Sequence, residues 1–128
     1  RLVEQRLALA RATSLPPPVL PYSPATLRAL AFMQCTLDRR AAVAEFTTAA
    51  ANGRSTARFA RRFQREVGVA PAAYHLRLRL DAARQALSGT DAPVTHVAMR
   101  YGFSSSQHFS AAFRSVFGTT PQAWRRRA

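Results

Sequence analysis

Two stretches of this chain carry side chains suited to bonding flat polar edges. The first holds Arg58, Arg61, Arg62, Gln64 and Arg65; the second holds Gln107, His108, Arg114 and Ser115. A guanidinium is a forked, permanently charged donor, and a glutamine amide carries a donor beside an acceptor, so each can bond one edge at two points. That chemistry is recognition. Catalysis has little to stand on. The six carboxylates, Glu4, Asp38, Glu45, Glu66, Asp81 and Asp91, show no pairing, and no Ser/His/Asp or Cys/His constellation emerges. His75, His96 and His108 lack metal-ligand spacing and Cys or carboxylate company, so neither a metal nor a cofactor is expected. Cys35 lies beside the apolar stretch Leu30-Ala31-Phe32-Met33 and is expected to be a buried structural thiol. An acceptor-thiol enzyme attached to a reader draws no support from those neighbours.

The elements that must position these side chains repeat at an offset of 50 residues. Ser55, Phe59, Phe63, Gly68, Pro71 and Tyr74 recur as Ser105, Phe109, Phe113, Gly118, Pro121 and Trp124. Each copy is one small supersecondary unit. Ser55, and Ser104 or Ser105, are good helix N-caps, and Gly68 and Gly118 good helix stops. The spacing predicts helices over Pro24 to about Thr36, Ala41–Ala51, Ser55 to Val67, Pro71–Ser88, Asp91 to Arg100, Ser104 or Ser105 to Phe117, and a final short one from Pro121. The first would bury Leu27, Leu30, Ala31 and Met33 or Leu37; the long one would bury Leu76, Leu80, Ala83 and Leu87. Asn52-Gly53-Arg54 and Tyr101-Gly102-Phe103 read as tight turns. Arg1–Thr13 has roughly helical apolar spacing, and the five prolines between Ser14 and Pro24 read as a stiff linker. No stretch alternates with period two, so the fold is expected to be all-α: two helix-turn-helix subdomains joined by a long central helix, about seven helices in all. The expected organisation is 1–22 upstream remnant and Pro-rich linker, 23–70 first subdomain, 71–88 connecting helix, and 89–128 second subdomain.

The partner follows from charge and geometry. All 19 basic residues are arginine and the net charge is +13, so a polyanion is expected. The 48% hydrophobic content suffices for a core and argues against a disordered basic tail. An acidic lipid surface competes as partner, but the apolar pattern is used up by a core, no run approaches the ~18 apolar residues of a span, and no secretory signal pattern is seen. A cytoplasmic protein, nucleoid-associated when bound, is expected. In a helix-turn-helix the second helix enters the major groove of DNA. With Phe59 and Phe63 inward, the first such helix turns Ala57, Arg61, Gln64 and Arg65 outward with Arg58 on the flank. With Phe109 and Phe113 inward, the second turns out Gln107, Ala111, Arg114 and Ser115, with His108 on the flank. Gln suits adenine, Arg guanine and Ala a thymine methyl. Arg58, Arg62, Arg65, Arg79 and Arg125 are phosphate candidates. For Arg79 a structural pairing with an acid is the other reading, and for the run Arg125–Arg127 a disordered tail. A helix of about 18 residues between the readers is roughly 27 Å long, which suits two grooves one turn, ~34 Å, apart.

The motifs Val94-x2-Val97-Ala98-x3-Gly102-Phe103-Ser104 and Phe109-x3-Phe113-x3-Phe117-Gly118-x2-Pro121-x3-Arg125 resemble the DNA-binding domain of AraC/XylS-type bacterial transcription regulators. So do Ser55-x3-Phe59-x-Arg61-x-Phe63-x4-Gly68-x2-Pro71-x2-Tyr74 and Arg79-Leu80-x2-Ala83. The agreement covers about a dozen positions over roughly 70 residues, and with the preceding helices it spans about Ser23 to Arg127. The resemblance implies sequence-specific binding of double-stranded promoter DNA, with RNA polymerase as a possible further partner and an effector-binding or dimerisation module upstream of Arg1. It implies base contacts from Ala57, Ala60, Arg61 and Gln64, and from Ser106, Gln107, His108, Ser110 and Ala111. A non-specific architectural DNA binder is the alternative. The chain departs from the family pattern in its first unit. Taking Ala49 as the pivot of the leading helix, Glu45 and Thr48 fall where apolar residues are usual, and Arg54 replaces an apolar turn residue. Either the first unit is poorly packed, with that helix the softer element, or its register is shifted. Ala111 also stands where longer polar residues are common in the second reader.

Overall fold

Capping residues set the helix boundaries in the computed structural model, which describes residues 21–50 and 55–127. Helix α1 (Pro24–Gln34) starts after Ser23, whose Oγ accepts the Thr26 N–H at 3.3 Å, with Pro24 in the first helical position. Helix α2 (Val43–Ala49) follows Ala42, whose N–H donates to Glu45 Oε2 at 3.0 Å. Helix α3 (Thr56–Val67) begins at Ser55, whose Oγ accepts from Arg58 N at 3.1 Å. It stops at Gly68, where φ is 102°, a left-handed conformation that glycine takes without strain. Helix α4 (Pro71–Gly89) is the long one, and α5 (Val94–Arg100) is short. Helix α6 (Ser106–Phe117) repeats the α3 pattern, with Ser105 accepting from His108 N at 3.0 Å and Gly118 at φ 76°. Helix α7 (Pro121–Arg127) ends the described chain. Among the described residues there is no strand, and the fold is all-α. The expected helix within Arg1–Thr13, most of the Pro-rich linker and the Asn52-Gly53-Arg54 turn lie outside the described residues.

The helices divide into two units. Residues up to Thr36 together with Ala41–His75 form the first; Leu37–Arg40 with Leu76 onward form the second. Helix α4 begins in the first and continues into the second. In the first unit Phe59 and Phe63 are fully buried, and Phe63 meets Tyr74 edge-on at 6.0 Å. Phe46 of α2 packs between Phe32 of α1 (5.9 Å) and His75 at the start of α4 (5.2 Å). In the second unit Leu80, Ala83 and Leu87 of α4 pack with Val97, Ala98, Phe103, Phe109 and Phe113, and Leu76 adds to the edge of that cluster.

Three expectations need correction. Helix α1 turns Thr26, Ala29, Leu30 and Met33 inward, while Leu27 is 49% exposed and Ala31 is also exposed. The expected stripe mixed residues from two faces of the helix. Cys35 is exposed, because it is the C-cap of α1 and lies past its buried stripe. The third concerns α2. Thr56–Val67 aligns with Ser106–Phe117 at the repeat offset, but Val43–Ala49 aligns with Val94–Arg100 one residue further on, so the first turn is one residue longer. In that register Phe46 matches Val97 and Thr47 matches Ala98, and all four are buried. Glu45 and Thr48 match His96 and Met99, and Thr48, His96 and Met99 are exposed. Half-buried Glu45 turns its carboxylate to the Ala42 N–H at the helix start, and Thr48 lies outside the core. Thr47 does enter it, with its hydroxyl donating to Val43 O at 3.0 Å.

Candidate nucleic-acid interface

The phase of α3 is fixed from inside. Phe59 and Phe63, their rings 5.8 Å apart, leave one face of the helix to solvent. On that face Ala57, Arg58, Arg61, Arg62, Gln64 and Arg65 are all exposed, and Ala60 is half-buried. Arg61, Gln64 and Arg65 together line a shallow open depression. The one acidic residue of the helix, Glu66, is partly buried and accepts the Ser23 N–H at 2.6 Å, so it faces α1 and not the arginines' outer surface. The exposed face thus presents four guanidiniums within two turns and a half of helix, a strong attractor for phosphate and for guanine edges.

Helix α6 is built on the same plan with different side chains. Phe109 and Phe113, 5.6 Å apart, point inward. Gln107, His108, Ala111, Arg114 and Ser115 are exposed, and Ser106 and Ser110 are half-buried. The His108 ring lies 5.6 Å from the ring of Phe103, a buried residue of the turn before α6. This face carries one arginine among short polar and amide side chains. It offers exposed hydrogen-bonding groups and little net charge.

Two phosphate candidates are placed elsewhere. Arg79 is 4% exposed, and its Nη1 donates to Tyr101 O and Gly102 O, each at 3.1 Å. It is a structural arginine, and its partners are turn carbonyls and not the acid expected. Burial first, and the neighbouring Arg40 charge second, push its guanidinium below the ordinary arginine range. Arg125 donates from Nε to Leu87 O (3.1 Å) and from Nη2 to Thr90 O (3.2 Å), capping the C-terminal end of α4. The signal for this was in the repeat. Arg125 follows Trp124 as His75 follows Tyr74, and buried His75 donates Nε2–H to Thr36 O, just past the end of α1. Each unit thus ties the end of its first helix to the residue after the repeat's last aromatic. Arg84 was not singled out from sequence either. It pairs with Asp81 and lies over the rings of Phe117 (5.0 Å) and Trp124 (5.5 Å). Among the described residues no group of three His, Cys, Asp or Glu side chains could hold a metal ion, and no helix is long and apolar enough to cross a membrane.

Comparison with known proteins agrees with this architecture. A family described as a helix-turn-helix domain matches residues 48–127. A probable transcriptional regulator, LumQ of Photobacterium leiognathi, is 36% identical over 90 residues, covering 70% of this chain and 36% of that protein. An AraC-type regulator structure from Chromobacterium violaceum superposes with a TM-score of 0.75 at 30% identity, covering 81% of this chain and 91% of that one. The DNA-binding domain of AdpA, solved in complex with a target DNA, gives a TM-score of 0.75 at 28% identity over 82% of this chain and 93% of that one. The chain spans between 18 and 36% of the length of the first curated relatives it matches.

Proposed function

Because the chain belongs to the AraC/XylS-type family of helix-turn-helix transcription regulators, we propose that it binds double-stranded promoter DNA sequence-specifically, with α3 and α6 in successive major grooves. The observation that carries this is the outward face of the two helices. In both, a buried phenylalanine pair fixes the helix phase and leaves polar, base-edge-bonding side chains in solvent. Arg61, Gln64, Gln107, His108 and Arg114 are the hydrogen-bonding readers in this proposal. Ala57, Ala60 and Ala111 meet thymine methyls, and Ser106 and Ser110 bond at the groove edge. Arg58, Arg62 and Arg65 neutralise phosphates and set register. In this proposal helix α4 is the connection between the readers.

The wider assignment is a regulator without catalytic activity of its own, acting in the cytoplasm and on the nucleoid. RNA polymerase would be a further partner, and an effector or dimerisation module would lie upstream. In this scheme residues 23–70 and 89–128 are the two reading subdomains, 71–88 the connection, and 1–22 the approach from that module. The test is a pair of substitutions. Arg61→Ala and Gln107→Ala should each cost about 1–3 kcal/mol on the preferred site and relax specificity at a single base position. Equal weakening on specific and random duplexes by both variants would instead mark an architectural, non-specific binder.

A further inference from the structure

The Arg79 side chain holds three consecutive residues of the turn between α5 and α6. Its guanidinium bonds the Tyr101 and Gly102 carbonyls, and its Cζ lies 4.8 Å from the centre of the Phe103 ring. Tyr101 is the C-cap of α5, so these carbonyls are among the groups a helix end leaves unsatisfied. A buried cation is an expensive way to fill space, since an apolar side chain would need no desolvation. Here Arg40 adds like charge nearby, and the buried Nε has no hydrogen-bond partner. What the guanidinium supplies, and an apolar residue cannot, is two directed bonds and a flat face over an aromatic ring.

The ring so held packs against an exposed side chain of α6. Phe103 is buried, 5.1 Å from the Phe109 ring and 5.6 Å from the exposed His108 ring. His108 sits in the first turn of α6, its N–H fixed by the Ser105 cap. The amino-terminal turn of a recognition helix is where base edges are met. We propose that Arg79 and Phe103 are positioning residues for the second reader: the buried guanidinium fixes the Phe103 ring, and that ring sets the direction in which His108 meets DNA. The inference rests on the DNA-reading function proposed above.

The test begins with the whole chain selecting its preferred site from a random-sequence duplex pool. Affinities are then measured on that site and on all its single base-pair variants, for wild type, Arg79→Lys, Phe103→Leu, His108→Ala and the Phe103→Leu/His108→Ala double variant. His108→Ala should flatten the preference at one position of the second half-site. Arg79→Lys, which keeps the charge but loses the fork, and Phe103→Leu, which keeps apolar bulk but loses the ring, should each reduce discrimination at that same position about fivefold or more. Preferences in the first half-site should stay as in wild type, and the double variant should discriminate no worse than His108→Ala. Positioning is overturned if the folded variants lose thermal stability while keeping the wild-type preference at that position, or if all positions weaken evenly. It is also overturned if His108→Ala changes no preference. Should Arg79→Lys fail to fold, Phe103→Leu decides alone by the same criteria. A wild-type chain that selects no sequence at all would remove the DNA-reading function itself, a separate outcome.

Discussion

Ser55 and Ser105 cap the two recognition helices with the same bond, Gly68 and Gly118 end them in the same left-handed turn, and the four repeat phenylalanines are equally buried. The units part company in front of and on the outside of those helices. The first has the longer turn and a buried Thr47 where the second has Ala98. Its reader exposes four arginines, Arg58, Arg61, Arg62 and Arg65, where the second exposes Arg114 alone. Packing constrains the inner face of both units in the same way, so the copies agree there. The outer face is free to differ, and it differs in charge. On the proposed function, the first reader's extra charge adds phosphate attraction, which is salt-dependent and blind to sequence, to the base contacts of Arg61 and Gln64, while the second would rely more on neutral groups whose bonds are directional.

The largest effect expected on this comparison comes from the glycines. A Cβ on Gly102, at φ 85°, would lie 2.6 Å from the Arg39 Cα, within the second unit. One on Gly118, at φ 76°, would meet nothing within 4 Å. Gly118→Ala should cost about 1 kcal/mol, for the left-handed backbone alone. Gly102→Ala adds a backbone clash that no side-chain rotation relieves, and should cost about 3 kcal/mol or more. Urea midpoints of the two variants measure the gap. Equal losses would mean that the segment Leu37–Arg40 yields, and that the second unit is less tightly built at its turn than the close approach indicates.

Next in size is the salt dependence of DNA affinity. Each phosphate contact contributes about 0.9 to the slope of log K against log salt. The double substitution Arg58→Ala/Arg62→Ala should therefore flatten the slope by about 2, and Arg114→Ala by less than 1. Titrations at several salt concentrations on one duplex give both numbers. A slope change for Arg114→Ala matching that of the double variant would erase the proposed division between the readers.

How much of this was legible beforehand depends on what each residue answers to. Helix ends at Ser55, Gly68, Ser105 and Gly118, and the inward phenylalanines, are dictated by local chemistry, and a repeat of the same residues doubles the signal. The outer faces followed from helix phase once those were fixed. A structural role for Arg79 is open to the sequence but its partners are not, and neither is the structural role of Arg125, because the partners are backbone carbonyls, which every residue has and no side-chain type advertises. The α1 face was misjudged because an alanine-rich helix offers several apolar stripes, and only the tertiary partner chooses between Leu27 and Ala29. The α2 register stays open between two readings in the sequence for a related reason. A one-residue difference in turn length is invisible when the repeat is anchored on the following helix.

That register is open to the smallest but most discriminating measurement. If Ala49 were the pivot of α2, Glu45 and Thr48 would face the core, and Glu45→Leu or Thr48→Leu would bury apolar surface and stabilise the first unit by about 1–2 kcal/mol. In the register seen here, Thr48 is in solvent with its hydroxyl returned to Ala44 O at 3.0 Å, and the Glu45 carboxylate receives the Ala42 N–H at the helix start. Thr48→Leu should then change stability by no more than about 0.5 kcal/mol. Glu45→Leu should lower it by about 0.5–1 kcal/mol, through loss of the bond and of a negative charge at the helix N-terminus. The sign for Glu45→Leu separates the two registers more cleanly than the size does, because the lost bond and charge at the helix start outweigh the small apolar gain open to a half-buried position. Amide exchange supplies the kinetic counterpart. With both polar residues outside the core, Phe46 should be protected to a degree comparable with Val97 in the absence of DNA. Protection of Phe46 far below that of Val97 would place the weakness at Thr47, the one polar side chain of α2 that packs where the second unit has an alanine.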